Sequence, residues 1–257
     1  MSEASAILAL AHRDFIKLLR DRQRIVADFA FPLIFIGILG TTLQAGFGER
    51  AGINLLDYVF TGVLAQTVWQ SSALGIISLL ADREQDFSQE IFVSPISRYS
   101  IILGKILGES LVALPQALAI IVFGFVLQIH MSPDQLGRMA LALVVVALFG
   151  GAFGVIVLAN LSSQRAANQI FPFVLLPQFF LAGIFNPIQN LPLPLDILSK
   201  VAPMRYAVDL MRDAYYGGTG SGIALFGAAT NLAIIAGLFV GFMVVGTFLF
   251  VRAERNR

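Results

Sequence analysis

The sequence predicts an all-α membrane protein with six transmembrane helices. Of its 257 residues, 57% are hydrophobic and 13% are charged, whereas about a quarter of the residues in a soluble domain are charged. Several apolar stretches reach about 20 residues, the length at which a helix crosses the roughly 30 Å hydrocarbon layer of a bilayer. These observations exclude an ordinary soluble protein. Because no linker divides the chain, we expect a single membrane domain over residues 1–257.

The first predicted element is an amphipathic helix over residues 4–23, which we expect to lie along the membrane surface. Apolar side chains recur on one helical face and basic side chains on the other, which is typical of an interfacial helix. A helical tail in solution is the alternative interpretation. The apolar face carries Ile7, Leu8, Ala11, Phe15 and Leu19, and the basic face carries Arg13, Lys17, Arg20 and Arg24.

Six apolar windows are the predicted transmembrane helices. The fifth window is short and contains Pro172 and Pro177. Because proline interrupts a regular helix, we expect this element to be shorter than a full crossing. A proline-rich outer segment, residues 186–222, follows it. The six windows are residues 25–45, 58–80, 101–129, 137–160, 169–185 and 223–251.

Within the outer segment, the stretch after Pro203 predicts a short amphipathic helix that ends at Gly217 and Gly218. We expect its apolar face to pack beside the transmembrane helices or to dip into the membrane, and to matter more than the charges opposite. The apolar face carries Met204, Val208, Met211 and Tyr215, and the opposite face carries Arg205, Asp209, Arg212 and Asp213.

The distribution of positive charge predicts the orientation in the membrane. Of the 17 Lys and Arg residues, 12 lie on the same side as the two termini and 5 on the other side. Loops rich in Lys and Arg remain in the cytoplasm, so both termini are predicted to be cytoplasmic. No removable signal peptide is evident, and the first transmembrane helix is expected to be the targeting element.

The residue content argues against several kinds of chemistry. Cysteine is absent, and His12 and His130 lie at opposite ends of predicted helices, so neither thiol catalysis nor a histidine metal centre is expected. Gly104 and Lys105 do not belong to a phosphate-binding loop, because the motif requires a glycine at the position that Tyr99 occupies. The net charge of +1 does not favour nucleic acid. We therefore assign no catalytic residue, metal or bound cofactor to this chain.

Ionisable residues inside the predicted transmembrane helices are few. Lys105 and Glu109 lie one helical turn apart in the third one and are expected to neutralise each other. A carrier driven by protons would need such residues near the middle of the membrane. Their scarcity there disfavours an ion-coupled carrier, which remains the alternative function.

Uncharged polar side chains form a band in the second, third and fifth transmembrane helices. Amides in hydrocarbon usually hydrogen-bond across helix interfaces, so we expect packing to be the role of most of them, with a substrate path as the alternative. Phenylalanines are mostly expected to face lipid or fill the core, although an aromatic wall would suit an amphiphilic substrate. The candidate path-lining residues are Gln66, Trp69, Gln70, Gln116, Phe179 and Phe180.

Residues 82–93, between the second and third transmembrane helices, are the predicted docking site for a cytosolic partner. The segment is compatible with a helix until Pro95 and combines apolar side chains with an acidic surround, which suits a groove on another protein. A solvated connector is the alternative, but it would not need exposed apolar residues. The candidate docking residues are Asp82, Glu84, Phe87, Glu90, Ile91 and Phe92.

Two motifs resemble those of type-2 ABC exporter permeases of the daunorubicin-resistance kind. The first is SPISR at residues 94–98, followed by Leu103, Gly104 and Lys105. The second is FFLAGIFNPIQNLP from residue 179, followed by APMRYAVDLMRDAYYG from residue 202. With the six-helix layout, the resemblance covers nearly the whole chain. The sequence departs from it at Met204 and Arg205, because relatives often carry an Asn-Pro-type turn one step earlier.

The resemblance implies two permease copies, as a homodimer among membrane lipids, assembled with two cytosolic ATP-binding cassette subunits that bind ATP and Mg²⁺. Residues 82–93 would be the coupling helix, residues 4–23 part of the same cytoplasmic collar, and residues 186–222 a re-entrant element closing the route. We expect a permease of the bacterial inner membrane that exports an amphiphilic drug, lipid or lipid-linked glycan. An integral membrane enzyme acting on lipid phosphates would need Asp, His or Arg residues clustered at one interface, and none of the loops offers such a cluster. The implied outer gate is Met204, Val208, Met211 and Tyr215.

The predicted orientation can be tested by labelling, because the natural chain contains no cysteine. A single cysteine at Gly48, Ser132 or Gly220 should react with a membrane-impermeant thiol reagent added outside intact cells. A cysteine at Ser88 should react only after the membrane is opened. Labelling in the reverse pattern would invert the orientation.

Overall fold

The computed structural model of this chain defines residues 3–20, 22–80, 98–159, 161 and 163–255. Helices dominate these ranges, which contain no β-strand, and the predicted all-α class is confirmed. A π-helical segment, Phe35–Gly40, joins the second helix to the third. The helices are α1 (Glu3–Arg20), α2 (Arg22–Ile34), α3 (Thr41–Ala51), α4 (Leu55–Gly75), α5 (Arg98–Val126), α6 (Pro133–Leu158), α7 (Gln164–Leu181), α8 (Leu193–Val201), α9 (Pro203–Tyr216) and α10 (Ala228–Arg255).

Five helical stretches of the described chain are long and apolar enough to cross a membrane. They correspond to the first, second, third, fourth and sixth predicted transmembrane helices. The fifth prediction falls on α7, which has 18 residues and contains Pro172 and Pro177. The count of six crossings is therefore not confirmed. The five stretches are Phe29–Gly48, Leu55–Leu80, Tyr99–Val126, Pro133–Leu158 and Ala228–Leu249.

Helix α1 packs closely along α5, and two glycines of α5 make this possible. A Cβ atom added at Gly104 would lie 3.2 Å from the Cα atom of Ile7, and one at Gly108 would lie 3.1 Å from the Cα atom of Ala11. Ala11 is buried, whereas Leu8 from the same predicted apolar face is 68% exposed. Of the helix predicted over residues 4–23, the structure shows residues 4–20 as part of α1, with part of the apolar face packed against protein. Its position along the membrane surface stays a prediction.

Helix α4 lies at the centre of the fold, in contact with α5, α6 and α9. Its Trp69 ring packs against Phe153 of α6 with ring centroids 4.6 Å apart. Gly150 and Gly154 of α6 face the backbone of α4, and a side chain at either position would overlap backbone oxygens of α4. Small residues let membrane helices approach closely, which increases their van der Waals contact.

Local capping signals explain where several helices begin and end. Asn54 accepts hydrogen bonds from two backbone N–H groups in the first turn of α4. Ser132 and Gln135 form a reciprocal capping box at the start of α6. Helix α9 ends at Gly217, whose φ of 77° lies in the left-handed region that glycine adopts readily. The predicted stop at Gly217 is confirmed.

Helix α9 has the predicted position but a different environment. Its apolar residues are buried, and so are Arg205, Asp209 and Arg212, which are only 4%, 2% and 2% exposed. The helix is enclosed by α4, α6 and α10, and its charged groups have partners within the protein. The expectation that its charges matter less than its apolar face is therefore wrong, because both faces are internal.

The close contact between α4 and α6 predicts that the same substitution is destabilising at one position of α6 and tolerated at another. Gly150→Ala should lower the unfolding temperature, because the added methyl group overlaps the backbone of α4 at Trp69 and overpacking costs about 1–3 kcal/mol. Gly137→Ala is the matched control, since the described residues place no atom within 4 Å of the methyl group it would add. Thermal unfolding of both variants in detergent checks this. Wild-type stability of Gly150→Ala would contradict the packing.

Candidate functional site

Lys105 is the centre of a buried ion cluster in the first half of α5. Its side chain is 2% exposed, and its Nζ atom lies 2.7 Å from Asp14 Oδ2 and 3.1 Å from Glu109 Oε1. The predicted pairing of Lys105 with Glu109 is present. The contribution of Asp14 depends on the packing of α1 against α5, which the sequence alone does not reveal. Removing one partner of such a buried pair typically costs about 3–5 kcal/mol.

The ion cluster also reaches the end of α4. The hydroxyl of Ser78 donates to Glu109 Oε1 at 3.4 Å, and the hydroxyl of Ser72 donates to the Glu109 backbone oxygen at 3.5 Å. Gly75 provides the space that the Glu109 side chain occupies. The cluster therefore connects α1 to the two stretches of chain that flank residues 81–97. We call Asp14, Lys105 and Glu109 the inner ion cluster.

The candidate docking residues cannot be placed relative to this cluster. All six fall within residues 81–97, outside the residues that the structure describes. The predicted coupling segment, residues 82–93, lies in the same gap, so its role stays a prediction. The six residues are Asp82, Glu84, Phe87, Glu90, Ile91 and Phe92.

A cleft runs along one face of α4, opposite α2, α5 and α7. Its first cavity, of about 180 Å³, brings together three of the predicted path-lining residues, Gln66, Gln70 and Gln116. Gln66 Nε2 donates to Gln70 Oε1 at 2.9 Å. The complete lining of this cavity is Phe31, Pro32, Gln66, Thr67, Gln70, Ser71, Leu74 and Gln116.

Two more cavities adjoin the first and share its α4 wall. One, of about 280 Å³, lies between Ser71 and the polar start of α7 at Gln164 and Asn168. The other, of about 250 Å³, lies between Gln70 and an apolar stretch of α7 that includes Phe179. We call the three cavities together the α4 cleft. It has a polar wall and an apolar wall.

The remaining two candidate path-lining residues lie elsewhere. Trp69 is fully buried against Phe149 and Phe153, because neighbouring residues in a helix point about 100° apart and the Gln70 face is turned toward the cleft. Phe180 is 59% exposed and packs edge-on against Phe185. The structure therefore brings together Gln66, Gln70, Gln116 and Phe179, but neither Trp69 nor Phe180.

Arg212 of α9 anchors the turn that follows α7. Its Nη2 atom donates to the backbone oxygen of Gly183 at 2.6 Å, and its guanidinium carbon lies 3.7 Å from the centroid of the Tyr58 ring. This geometry is a cation–π contact. The Tyr58 hydroxyl donates to the same Gly183 oxygen at 3.0 Å. Burial lowers the pKa of Arg212, although an arginine remains charged in proteins.

Asp209, one turn before Arg212, binds the segment that leads into α10. Its carboxylate accepts hydrogen bonds from the backbone N–H groups of Leu225 at 2.7 Å and Phe226 at 2.8 Å, and from Asn231 Nδ2 at 2.9 Å. Hydrogen bonds to a charged acceptor are stronger than those between neutral groups. The carboxylate therefore links α9 firmly to the last transmembrane helix.

Both ends of α9 have further partners on other helices. At its start, the Met204 N–H donates to Gln178 Oε1 of α7 at 3.3 Å. At its end, Arg138 Nε and Gln135 Nε2 of α6 donate to backbone oxygens of α9 at 3.0 Å and 2.8 Å. These contacts satisfy the groups that a helix terminus leaves without intrahelical partners. We call the contacts of Arg212, Asp209 and these helix ends the outer polar network.

The implied gate residues Met204, Val208, Met211 and Tyr215 are all buried within the core around α9, between 0% and 4% exposed. Their role as a gate stays a prediction. Among the described residues, no group of three or more His, Asp or Glu side chains is placed to hold a metal ion. What the arrangement offers is hydrogen bonding, buried charge and a partly apolar cleft, which are the means of binding a molecule.

Comparison with known proteins shows the relationships of this chain. The sequence model of the family described as "ABC-2 type transporter" matches residues 5–216, a range that includes the inner ion cluster, the α4 cleft and α9. The chain is 26% identical over 213 residues to the putative transport permease ycf38 of Cyanophora paradoxa, covering 81% of this chain and 73% of that protein.

Two further relatives are similar in sequence. The chain is 28% identical over 144 residues to the probable multidrug ABC transporter permease YbhR of Escherichia coli K12, covering 54% of this chain and 38% of that protein. It is 24% identical over 222 residues to nodulation protein J of Sinorhizobium fredii NGR234, covering 84% of this chain and 83% of that protein. The similarity to YbhR thus spans well under half of that relative.

The outer polar network predicts that buried charges on α9 are essential for stability. Asp209→Ala should destabilise the protein by about 3 kcal/mol or more, because three donors lose a charged acceptor. Lys200→Ala is the matched control, since Lys200 is 57% exposed and its pair with Asp196 at the surface contributes little. Thermal unfolding of each variant measures the difference. Equal stability of the two variants would contradict the network.

Proposed function

This chain belongs to the ABC-2 type transporter family, and from that premise we propose that it is the permease of an ATP-driven exporter. Its cargo would be an amphiphilic drug, lipid or lipid-linked glycan, moved out of the cytoplasm or the inner leaflet. The protein is a multi-pass membrane protein. We place it in the bacterial inner membrane with both termini in the cytoplasm, as its distribution of Lys and Arg favours.

The observation that carries the proposal is the α4 cleft. Amides of Gln66 and Gln70 face it from one side, and Phe179 with its apolar neighbours faces it from the other. Ligand sites combine an apolar lining with a few polar groups that fix the orientation of the ligand. A path with both kinds of wall suits a molecule that has a polar head and an apolar body.

A second permease copy would complete the route. In one chain the α4 cleft is open at its side. Half of the residues of α7, which borders the cleft, are exposed. Only 17% of the first and last apolar stretches, Phe29–Gly48 and Ala228–Leu249, are buried within the chain. We therefore propose a homodimer, with these exposed surfaces covered by the other copy and by membrane lipids.

Energy would come from cytosolic ATP-binding cassette subunits, which the family implies in general. Residues 82–93 would dock into them, and the inner ion cluster would transmit the movement, because it joins α1, the end of α4 and the start of α5. Closure of the ATPase subunits would shift residues 82–93 and change how the helices pack. At the other end, Met204, Val208, Met211 and Tyr215 would close the route until cargo leaves.

Coupling can be tested in a reconstituted complex of the permease with its cognate ATPase subunits. Replacing Phe87 and Ile91 with serine should abolish the stimulation of ATP hydrolysis by the permease, because the apolar contact with the ATPase groove is lost. Membrane insertion should be normal. Phe47→Ser, at a 57% exposed site on α3, is the control and should retain stimulation.

The same experiment separates the two candidate functions. Full stimulation by the double variant would contradict the assignment of residues 82–93 as the coupling segment. Transport by the permease alone, driven by an ion gradient without any ATPase subunit, would replace the exporter with the ion-coupled carrier.

A further inference from the structure

We propose that the α4 cleft selects amphiphiles with an uncharged head group rich in hydroxyl or amide groups, and disfavours cationic and anionic heads. This inference rests on the proposed function, in which the cleft is the cargo path, and it narrows the cargo to one chemical class. A glycan or polyol head on a hydrocarbon or aromatic body has these properties.

The polar wall of the cleft consists of amides and hydroxyls. Five amide side chains contribute to the three cavities, together with serine and threonine hydroxyls. An amide both donates and accepts hydrogen bonds, as a hydroxyl does, so these groups match a head that carries both functions. The five are Gln66, Gln70, Gln116, Gln164 and Asn168.

The described residues that line the three cavities include no Asp, Glu, Lys or Arg. Glu109 lies behind the second cavity, in contact with Ser78, but Lys105 pairs with it at 3.1 Å. A charged head in the cleft would therefore lose its hydration without gaining an opposite charge from the described lining. Burial of an uncompensated charge is strongly unfavourable, whereas a neutral polar head needs only hydrogen bonds.

The third cavity is suited to the apolar part of the same molecule. It is lined by Leu74, Pro172, Phe173, Leu176 and Phe179 among others, and it meets the polar part of the cleft at Gln70. An amphiphile would therefore place its head beside Gln66 and Gln70 and its body along α7. The separation of the two walls fixes the orientation of the cargo.

The test measures binding to the purified permease in lipid nanodiscs, without ATPase subunits or nucleotide. Three tritiated probes share a dodecyl tail: dodecyl maltoside, which is neutral, dodecyltrimethylammonium, which is cationic, and dodecyl phosphate, which is anionic. Saturable binding is the excess retained by loaded discs over empty discs, at equal probe content of the membrane. We expect dodecyl maltoside to bind about tenfold more tightly than either charged probe.

Variants of the cleft make the test specific. Gln66→Leu combined with Gln70→Leu should weaken maltoside binding by about tenfold, because two hydrogen-bonding amides of the cleft are lost. Gln169→Leu, at an exposed position of α7 that lines none of the cavities, is the matched control and should bind as the wild type does. Gln70→Glu should shift the preference toward dodecyltrimethylammonium, because it places a carboxylate in the cleft.

Two results would overturn the inference: tight binding of a charged probe by the wild type, or an unchanged preference in Gln70→Glu. Neither result would affect the exporter assignment, because no ATPase subunit is present in the assay. Conversely, if the ATP hydrolysis experiment contradicted the exporter assignment, the measured head-group preference would still describe the cleft. The two failures are therefore distinguishable.

Discussion

Close approach of helix backbones, made possible by glycine, is the constraint on which this fold depends. Helix α6 meets α4 at Gly150 and Gly154, and α1 meets α5 at Gly104 and Gly108. Lipid tails are as apolar as leucine, so burying apolar surface does not by itself drive helices together in a bilayer, and contact area must do so instead. With α4 held tightly by α5, α6 and α9, a face that the described residues cover loosely becomes the α4 cleft. The packing that stabilises the protein thus also determines where a ligand could enter.

The buried charges lie at the two ends of this packed centre. The inner ion cluster around Lys105 joins α1 to the chain on both sides of residues 81–97. The outer polar network around Asp209 and Arg212 joins α9 to α4, α6 and α10. Helix α7 contains two prolines, and half of its residues are exposed. Helix α4 contacts α7 less extensively than it contacts α5, α6 or α9, and its Tyr58 hydrogen bond to Gly183 holds the end of α7. The two helices border the cleft, so movement of the rest of α7 against α4 would change its width.

Sequence reasoning recovered what depends on local pattern and failed where distant residues meet. Long apolar stretches revealed five helices that could cross the membrane, and the pairing of Lys105 with Glu109 followed from their spacing of one turn. Asp14 lies 91 residues from Lys105, so its contact required the packing of α1 on α5. Hydropathy does not distinguish a charge facing water from one facing a buried partner, which explains the error on α9. Composition also does not reveal how α4 is rotated about its axis. That rotation places Gln70 in the cleft and Trp69 in the core.

The partners of Asp209 also determine when this part of the protein can form. Leu225, Phe226 and Asn231 donate the three hydrogen bonds to its carboxylate, and the ribosome adds all three residues after α9. Until then α9 carries an unpaired carboxylate and is too polar to enter the bilayer core by itself. We therefore expect α9 to stay at the aqueous boundary during synthesis while the earlier helices insert. Helix α9 can pack in its final position only after the start of α10 has been synthesised. This region is therefore expected to fold last during biogenesis.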